Sequence, residues 1–326
     1  MIYNKLKFPK FIDPESKSPL FKSGDFLKGE NEELYEIIDS IPRILKDKSN
    51  YCDAFGQQWL NWRETQLDSF TKTKITEVRL KRCLGSDLCN DLQLNERTVL
   101  EVGCGAGRFT EVFLKSFPKL ILSSVDLSNA VEANQINFPQ NERHQILQAD
   151  ATKLPYENNS FDLVVCLGVI QHTPNPEDTI EELFKKVKPG GTLVIDHYTK
   201  SFSFYTKLTA QLLRPIVKRM SYNKRMKFVK LLTNTFFPVH KLLRNIPLGQ
   251  TLFSRVSPLL TYYHTLPELS HENQYNWALL DTHDHLADWY KHLRSKSEIS
   301  AVLSNLGGIN IWVEKGGNGI EARCKK

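Results

Sequence analysis

The 326-residue chain reads as an α/β protein built on a mainly parallel sheet with helices on both faces. Three observations predict this. Short apolar runs alternate with helical patterns from Arg97 onward, the texture of βαβ units. The run Phe161–Leu167 is apolar throughout, as a strand covered from both sides must be. The last two strand-like runs, Ile309–Glu314 and Gly319–Cys324, are separated only by Lys315-Gly316-Gly317-Asn318, a loop short enough to make an antiparallel hairpin.

The elements follow in order. Pro9, Pro14, Pro19 and Pro42 break up the first stretch, which reads as a small, strand-poor module over residues 1–48. Residues 49–96 carry aromatic-rich helical patterns and form a lead-in or lid. The core spans 97–198. Thr98–Val102 is a buried strand, Arg108–Ser116 a helix, and Leu120–Val125 a second strand stopped by Asp126. Ser128 is an N-cap candidate. Gln145–Gln148 is a third strand and Phe161–Leu167 a fourth. Glu177–Val187 is a helix ended by Pro189-Gly190-Gly191, and Thr192–His197 is a fifth strand. A basic helical insertion occupies 199–270. Residues 271–326 complete the sheet through the Ser295–Leu306 helix and the hairpin.

Composition narrows the class. With 40% hydrophobic and 25% charged residues, a collagen, a coiled-coil rod and wholesale disorder are excluded. No run of about 18 apolar residues suits a membrane span. The start, MIYNKLKFPK, has no apolar signal core, so a cytoplasmic protein is expected. The net charge of +6 is unevenly placed. Thr199–Pro267 holds twelve Lys or Arg and no Asp or Glu, leaving 6 − 12 = −6 for the remainder. Such asymmetry points to an anionic partner or docking surface. Cys52, Cys83, Cys89, Cys104, Cys166 and Cys324 make no C-x-x-C pair, so neither a disulfide framework nor a metal site is expected.

The strongest local signal is Val99-Leu100-Glu101-Val102-Gly103-Cys104-Gly105-Ala106-Gly107-Arg108, a strand running into a glycine turn and then a helix. Glycines admit close backbone approach to a ligand, and such turns present helix N–H groups to phosphate in dinucleotide enzymes. Here the spacing is G-x-G-x-G, and a carboxylate, Glu101, precedes it. A carboxylate repels a pyrophosphate and suits an ammonium or sulfonium ligand. Asp126, at the end of the second strand, can accept both ribose hydroxyls. Asp150-Ala151, after the third, can accept an adenine amino group. Each aspartate also reads as a simple turn residue.

Taken together, VLEVGCGAGRFT, SVDLS, QADATKLPYENNSFDLVVCLGVIQHTPNP and VKPGGTLVI over residues 97–198 resemble the class I S-adenosylmethionine-dependent methyltransferases. The resemblance implies a Rossmann-like, seven-stranded, mostly parallel sheet with an antiparallel terminal hairpin, and S-adenosyl-L-methionine as cofactor. It implies that Glu101 lies near the methionine end, that Gly103, Cys104, Gly105, Gly107 and Gly168 line the cofactor, that Asp126 with Leu127 holds the ribose, and that Asp150 and Ala151 contact adenine. Ile12-Asp13-Pro14-Glu15-Ser16 and YEIIDSIPRIL resemble a small zinc-ribbon module joined to bacterial methyltransferases. That pattern is C-P-x-C, and Asp13-Pro14-Glu15-Ser16 lacks its thiolates, which implies a metal-free relic. Phe55-Gly56-Gln57-Gln58-Trp59, Thr65-Gln66-Leu67-Asp68 and Leu280-Asp281-Thr282-His283-Asp284 with Tyr290 resemble flanking segments of the same group. A saccharide or related metabolite as acceptor is implied by analogy alone.

The acceptor should lie beyond the carboxyl ends of the strands. His172, in Gly168-Val169-Ile170-Gln171-His172, is a candidate general base, or else a residue that orders its loop. His197 is a second candidate base, with a packing role as the alternative. Gln171, Tyr198, Asp281, His283, Asp284 and Tyr290 are candidate acceptor contacts. Asp281, His283, Asp284 and His285 look metal-like, yet neighbouring positions diverge on a strand or helix, so a metal site would require a loop and none is expected. Phe55, Trp59 and Trp62 form an aromatic stripe that is either core or a lid, with Gln58 and Arg63 at its edge. No Asn/Asp/Ser-Pro-Pro-aromatic motif and no Pro-Cys nucleophile follow strand four, so a small molecule is expected in place of a nucleic acid.

Phe202–Phe237 mixes apolar with basic residues. Leu212, Ile216 and Met220 fall on one helical face, with Lys218, Arg219, Lys224, Arg225, Lys227 and Lys230 on the polar side. This segment is a membrane-surface helix, a binder of an anionic or lipid-linked acceptor, or a cap over the acceptor pocket. Two rival functions stay open beside a methyltransferase: a non-catalytic scaffold docked to an anionic membrane, and an NAD-dependent oxidoreductase.

Overall fold

Prolines do not keep the N-terminal module free of strands. In the computed structural model, which describes residues 8–31, 33–45, 53–200 and 207–326, β1 (Phe21–Ser23), β2 (Phe26–Lys28), β3 (Leu34–Ile38) and β4 (Ile41–Ile44) form an antiparallel meander. The strand-poor expectation is therefore corrected. Pro9, Pro14 and Pro19 lie outside these strands, and Pro42 sits within β4 opposite Ile37, where the strands are only three to five residues long and one missing N–H removes little of the ladder. Asp13 closes the preceding turn. Its Oδ1 accepts the N–H groups of Glu15 at 2.9 Å and Ser16 at 2.7 Å, and its Oδ2 accepts the Tyr35 hydroxyl at 2.5 Å.

The buried runs of the core become β5 (Thr98–Val102), β6 (Ile121–Asp126), β7 (His144–Ala149), β8 (Phe161–Cys166) and β9 (Val187–Tyr198), all parallel. The hairpin is β10 (Ile309–Gly316) and β11 (Gly319–Lys325), and β11 pairs antiparallel with β9. The sheet order is β1-β2-β3-β4-β7-β6-β5-β8-β9-β11-β10. The last seven strands are the expected Rossmann-like sheet. The meander extends it because β4 pairs parallel with β7, Arg43 opposite Gln148 and Ile44 opposite Ala149.

Alternation along the strands fills two cores. Leu100, Val102, Val164, Cys166, Leu193 and Ile195 face one side. There they meet Ile180 and Leu183 of the helix Pro176–Lys186 and Ile299 and Leu303 of the helix Lys296–Asn305. Val99, Leu122, Leu163, Val165 and Val194 face the other, against Leu80 and Leu84 of the helix Ile75–Leu84 and Val112 and Phe113 of the helix Arg108–Ser116. The helices, in chain order, are α1 (Asp53–Asn61), α2 (Asp68–Thr71), α3 (Ile75–Leu84), α4 (Ser86–Leu94), α5 (Arg108–Ser116), α6 (Ala130–Asn137), α7 (Pro176–Lys186), α8 (Leu208–Val217), α9 (Tyr222–Leu243), α10 (Pro247–Val256), α11 (His271–Ala287) and α12 (Lys296–Asn305). Local chemistry sets several ends. Asn175 caps α7 with Pro176 at its first position, and Ser295 with Glu298 forms a capping box on α12.

The insertion supplies α8, α9 and α10. Val217 of α8 and Val229 of α9 pack on Leu279 and Leu286 of α11, which bridges the insertion to the carboxyl end of the sheet. No described helix is long and apolar enough to cross a membrane. Cys52, the Phe55 side chain and the Phe202 start of the basic segment lie outside the described residues.

Candidate functional site

At the carboxyl ends of the parallel strands lies a cavity of about 460 Å³. One half is built on the glycine turn. Gly103, Gly105 and Gly107 adopt φ of 76°, 52° and 98°. A Cβ on Gly103 would sit 1.9 Å from Val169 Cγ2, and one on Gly107 2.6 Å from Phe138 Cδ2, so the turn has no room for a larger residue. Asp126 ties this turn to the end of β6. Its Oδ2 accepts the Gly105 N–H at 2.9 Å, and its Oδ1 accepts the Ser128 N–H at 2.8 Å and hydroxyl at 2.7 Å. Burial raises the Asp126 pKa against these hydrogen bonds.

Gly103, Cys104, Gly105, Asp126, Leu127, Ala151 and Gly168 all line the cavity, with Val102, Ala149 and Leu167 as apolar wall. A backbone cradle, a carboxylate and an apolar slot fit an adenosine-bearing ligand. Trp59 closes over the turn, since a Cβ on Gly105 would lie 3.4 Å from its indole. Of the aromatic stripe, Trp59 therefore lines the cavity while Trp62 packs against the core of the insertion.

The other half is polar. Gln66, Arg79, Arg108, Tyr198, Tyr262, Asp281, Asp284, His285 and Lys291 line it, together with Lys207 and His172. Asp281 accepts the Tyr262 hydroxyl on Oδ2 and the Gln66 amide at 3.1 Å on Oδ1. Burial and the neighbouring Asp284 push its pKa up to about 7. Burial with the nearby Arg79 lowers Arg108 to about 10, and burial with Lys291 lowers Lys207 to about 8. Arg108 donates to Thr76 Oγ1 at 3.1 Å and Gln66 Oε1 at 3.2 Å, and lies over the Trp277 ring.

Several expected site residues lie elsewhere. Glu101 is 2% exposed and does not line the cavity. It shares the strand face of Val99, and its Oε2 accepts the hydroxyls of Thr110 at 2.6 Å and Ser124 at 2.9 Å. Burial pushes its pKa up to about 7. Gly107 opens α5 behind the turn, and Asp150 accepts the Thr152 N–H and hydroxyl, each at 2.8 Å. Neither reaches the cavity. His197 is buried, with Nδ1 2.9 Å from the Tyr198 carbonyl, and desolvation lowers its pKa to about 4. It alternates with Tyr198 along β9, and only Tyr198 faces the cavity. Gln171 is fully buried in the one-turn segment Ile170–His172. Tyr290 stacks on His292 and offers His172 its carbonyl.

The cluster expected to need a loop lies on α11. A helix places Asp281, Asp284 and His285 on one face at i, i+3 and i+4, and these three line the cavity. His283 faces away and pairs with Gln58. His172 lines the cavity, with Nδ1 3.2 Å from both Asp288 Oδ2 and the Tyr290 carbonyl. Sequence reasoning missed Arg79, Arg108, Lys207, Tyr262 and Lys291 as site residues. Only Arg108 carried a local signal, as the first helical residue after the turn.

Residues 100–195 match a family model described as a methyltransferase domain. A malonyl-[acyl-carrier protein] O-methyltransferase of Priestia megaterium is 27% identical over 137 residues, 41% of this chain and 50% of the relative. A ubiquinone biosynthesis O-methyltransferase of Coxiella burnetii is 30% identical over 140 residues, 40% of this chain and 54% of the relative. The chain thus spans about half the length of these curated relatives. Human N-acetylserotonin methyltransferase, solved with S-adenosylmethionine, aligns at a TM-score of 0.43 and 14% identity, over 85% of this chain and 62% of its own. Residues 100–195 thus carry a methyltransferase domain.

Proposed function

We propose that the chain transfers the methyl group of S-adenosylmethionine to an oxygen of a small-molecule acceptor, a hydroxyl of a saccharide or a related metabolite. The carrying observation is that one cavity joins the glycine turn and Asp126 to a polar chamber holding Asp281, whose pKa is about 7. The names of both sequence relatives place methylation on oxygen.

The cofactor, when bound, supplies an electrophilic sulfonium methyl whose leaving group is neutral. Gly103, Gly105 and Asp126 would hold it and aim the methyl toward the chamber, so much of the rate comes from orientation. A hydroxyl acceptor must lose a proton, and a carboxylate titrating near 7 is well matched to take it. Asp281 is the proposed base, oriented by Tyr262 and Gln66. This replaces His197, and it leaves His172 as a residue of the rim. Trp59 keeps water from the cofactor side. Arg108 and Lys207 line the cavity and make no ion pair with a carboxylate among the described residues. They favour an acceptor with an anionic or lipid-linked part.

Calorimetry with S-adenosylhomocysteine tests the cofactor half, and transfer of a labelled methyl into a small-molecule extract tests the reaction. Heat of binding and one labelled product are expected. Binding without any labelled product would turn the reading to a scaffold, and neither signal would end it.

A further inference from the structure

We propose that the α8–α9–α10 insertion is a docking face for an anionic lipid bilayer. This goes beyond methyl transfer and does not depend on it. Leu208, Leu212 and Ile216 on α8 are spaced i, i+4, i+8 and point to solvent, Leu212 being 74% exposed. Leu248, Leu252 and Val256 repeat that spacing on α10, with Leu248 71% exposed. The Thr209 hydroxyl donates to the Val256 carbonyl at 2.6 Å, joining the start of α8 to the end of α10. Leu242 in the last turn of α9 and Ile246 between α9 and α10 are also exposed.

Aliphatic stripes this open are unusual on a soluble surface, and their setting selects the occupant. The segment Thr199–Pro267 holds twelve cations and no anion. Lys224, Lys227 and Leu231 fall three and four residues apart on one exposed face of α9. Exposed apolar stripes within a segment that carries cations and no anion match the acyl–headgroup boundary of an anionic bilayer. A second copy of the chain would bring a like-charged face against this one. Nucleic acid would leave the leucines in water.

The face also lies next to the cavity. A second hollow of about 210 Å³, lined by Arg214, Pro215 and Lys218 of the α8 region, shares Lys207, His285 and Lys291 with the main cavity. Docking would set the acceptor chamber beside the bilayer.

The test is cosedimentation of the full chain with vesicles of phosphatidylglycerol and phosphatidylcholine, against phosphatidylcholine alone. Sedimentation with the anionic vesicles is expected, weakened by high salt and roughly tenfold or more by Lys224→Ala/Lys227→Ala. Leu212→Ser/Leu252→Ser should lower vesicle binding similarly while S-adenosylhomocysteine binding and melting temperature stay unchanged, which separates docking from folding and from the cofactor site. No sedimentation with anionic vesicles at low salt overturns the proposal. So does vesicle binding untouched by both variant pairs, a dimer abolished by Leu212→Ser/Leu252→Ser without lipid binding, or binding of RNA alone.

Discussion

The Tyr262 hydroxyl donates to the Asp281 carboxylate inside the cavity. The two residues reach it from different elements: Asp281 from α11, Tyr262 from the segment after α10. Burial and Asp284 favour the protonated acid, and its pKa is about 7. Methyl transfer should therefore rise as pH increases through about 7, as the carboxylate forms. Asp281→Asn is expected to cut the rate by roughly 10² to 10⁴ with S-adenosylhomocysteine binding retained. A raised carboxyl stabilises the fold below its unfolded pKa and loses that contribution as pH climbs through 7. The asparagine variant should thus melt higher than wild type at pH 8. A full rate in the variant would remove Asp281 as base.

Asp126 holds the Gly105 N–H and faces the proposed ribose position. Asp126→Ala should weaken S-adenosylhomocysteine binding at least tenfold, about 1.4 kcal/mol. It should also lower stability by about 1–3 kcal/mol, because a buried N–H loses its acceptor. Calorimetry and urea denaturation read the two effects, and unchanged affinity would place the ribose elsewhere.

Arg79 stands between Asp196 of β9 and Glu321 of β11, residues that face each other in register. Asp196 also accepts the Gly168 N–H at 2.6 Å, so this buried cluster sets the turn after β8. Arg82 covers Glu321 at 2.7 Å, but Asp196 has no second ion pair among the described residues. Arg79→Met should cost about 3–5 kcal/mol, since a buried carboxylate loses its cation. A loss below about 1 kcal/mol by urea denaturation would show that the cluster is not held by charge.

Asp288 is fully buried. Desolvation raises its pKa, yet His172, Lys291 and Arg214 outweigh it and hold the carboxyl at about 2. A depressed carboxyl contributes stability above its unfolded pKa, about 3.9, and loses it as pH falls toward 2. Wild type should therefore lose roughly 2 kcal/mol between pH 5 and pH 2 that Asp288→Asn does not lose. Parallel acid-denaturation curves for the two proteins would contradict this.

Much of the fold was legible because its signals are local. An apolar run marks a strand, and a glycine turn followed by Arg108 marks the helix start. The hairpin was fixed by a loop too short for any other connection. The N-terminal meander was not legible, since strands of three to five residues carry almost no periodicity and owe their pairing to the edge of β7.

The parallel core, the glycine turn, Asp126 at the end of β6 and the charge imbalance of the insertion were legible from the chain alone. Each depends on residues close together in the chain, where backbone sterics and spacing decide. Only the packed structure assembles the polar half of the cavity. Gln66 and Asp281 meet across 215 positions, and no local pattern records that contact. It also decided the face of each titratable group. Period-2 alternation turned Glu101 and His197 into the interior, and the 3.6-residue helical period turned Asp281, Asp284 and His285 toward the cavity and His283 away.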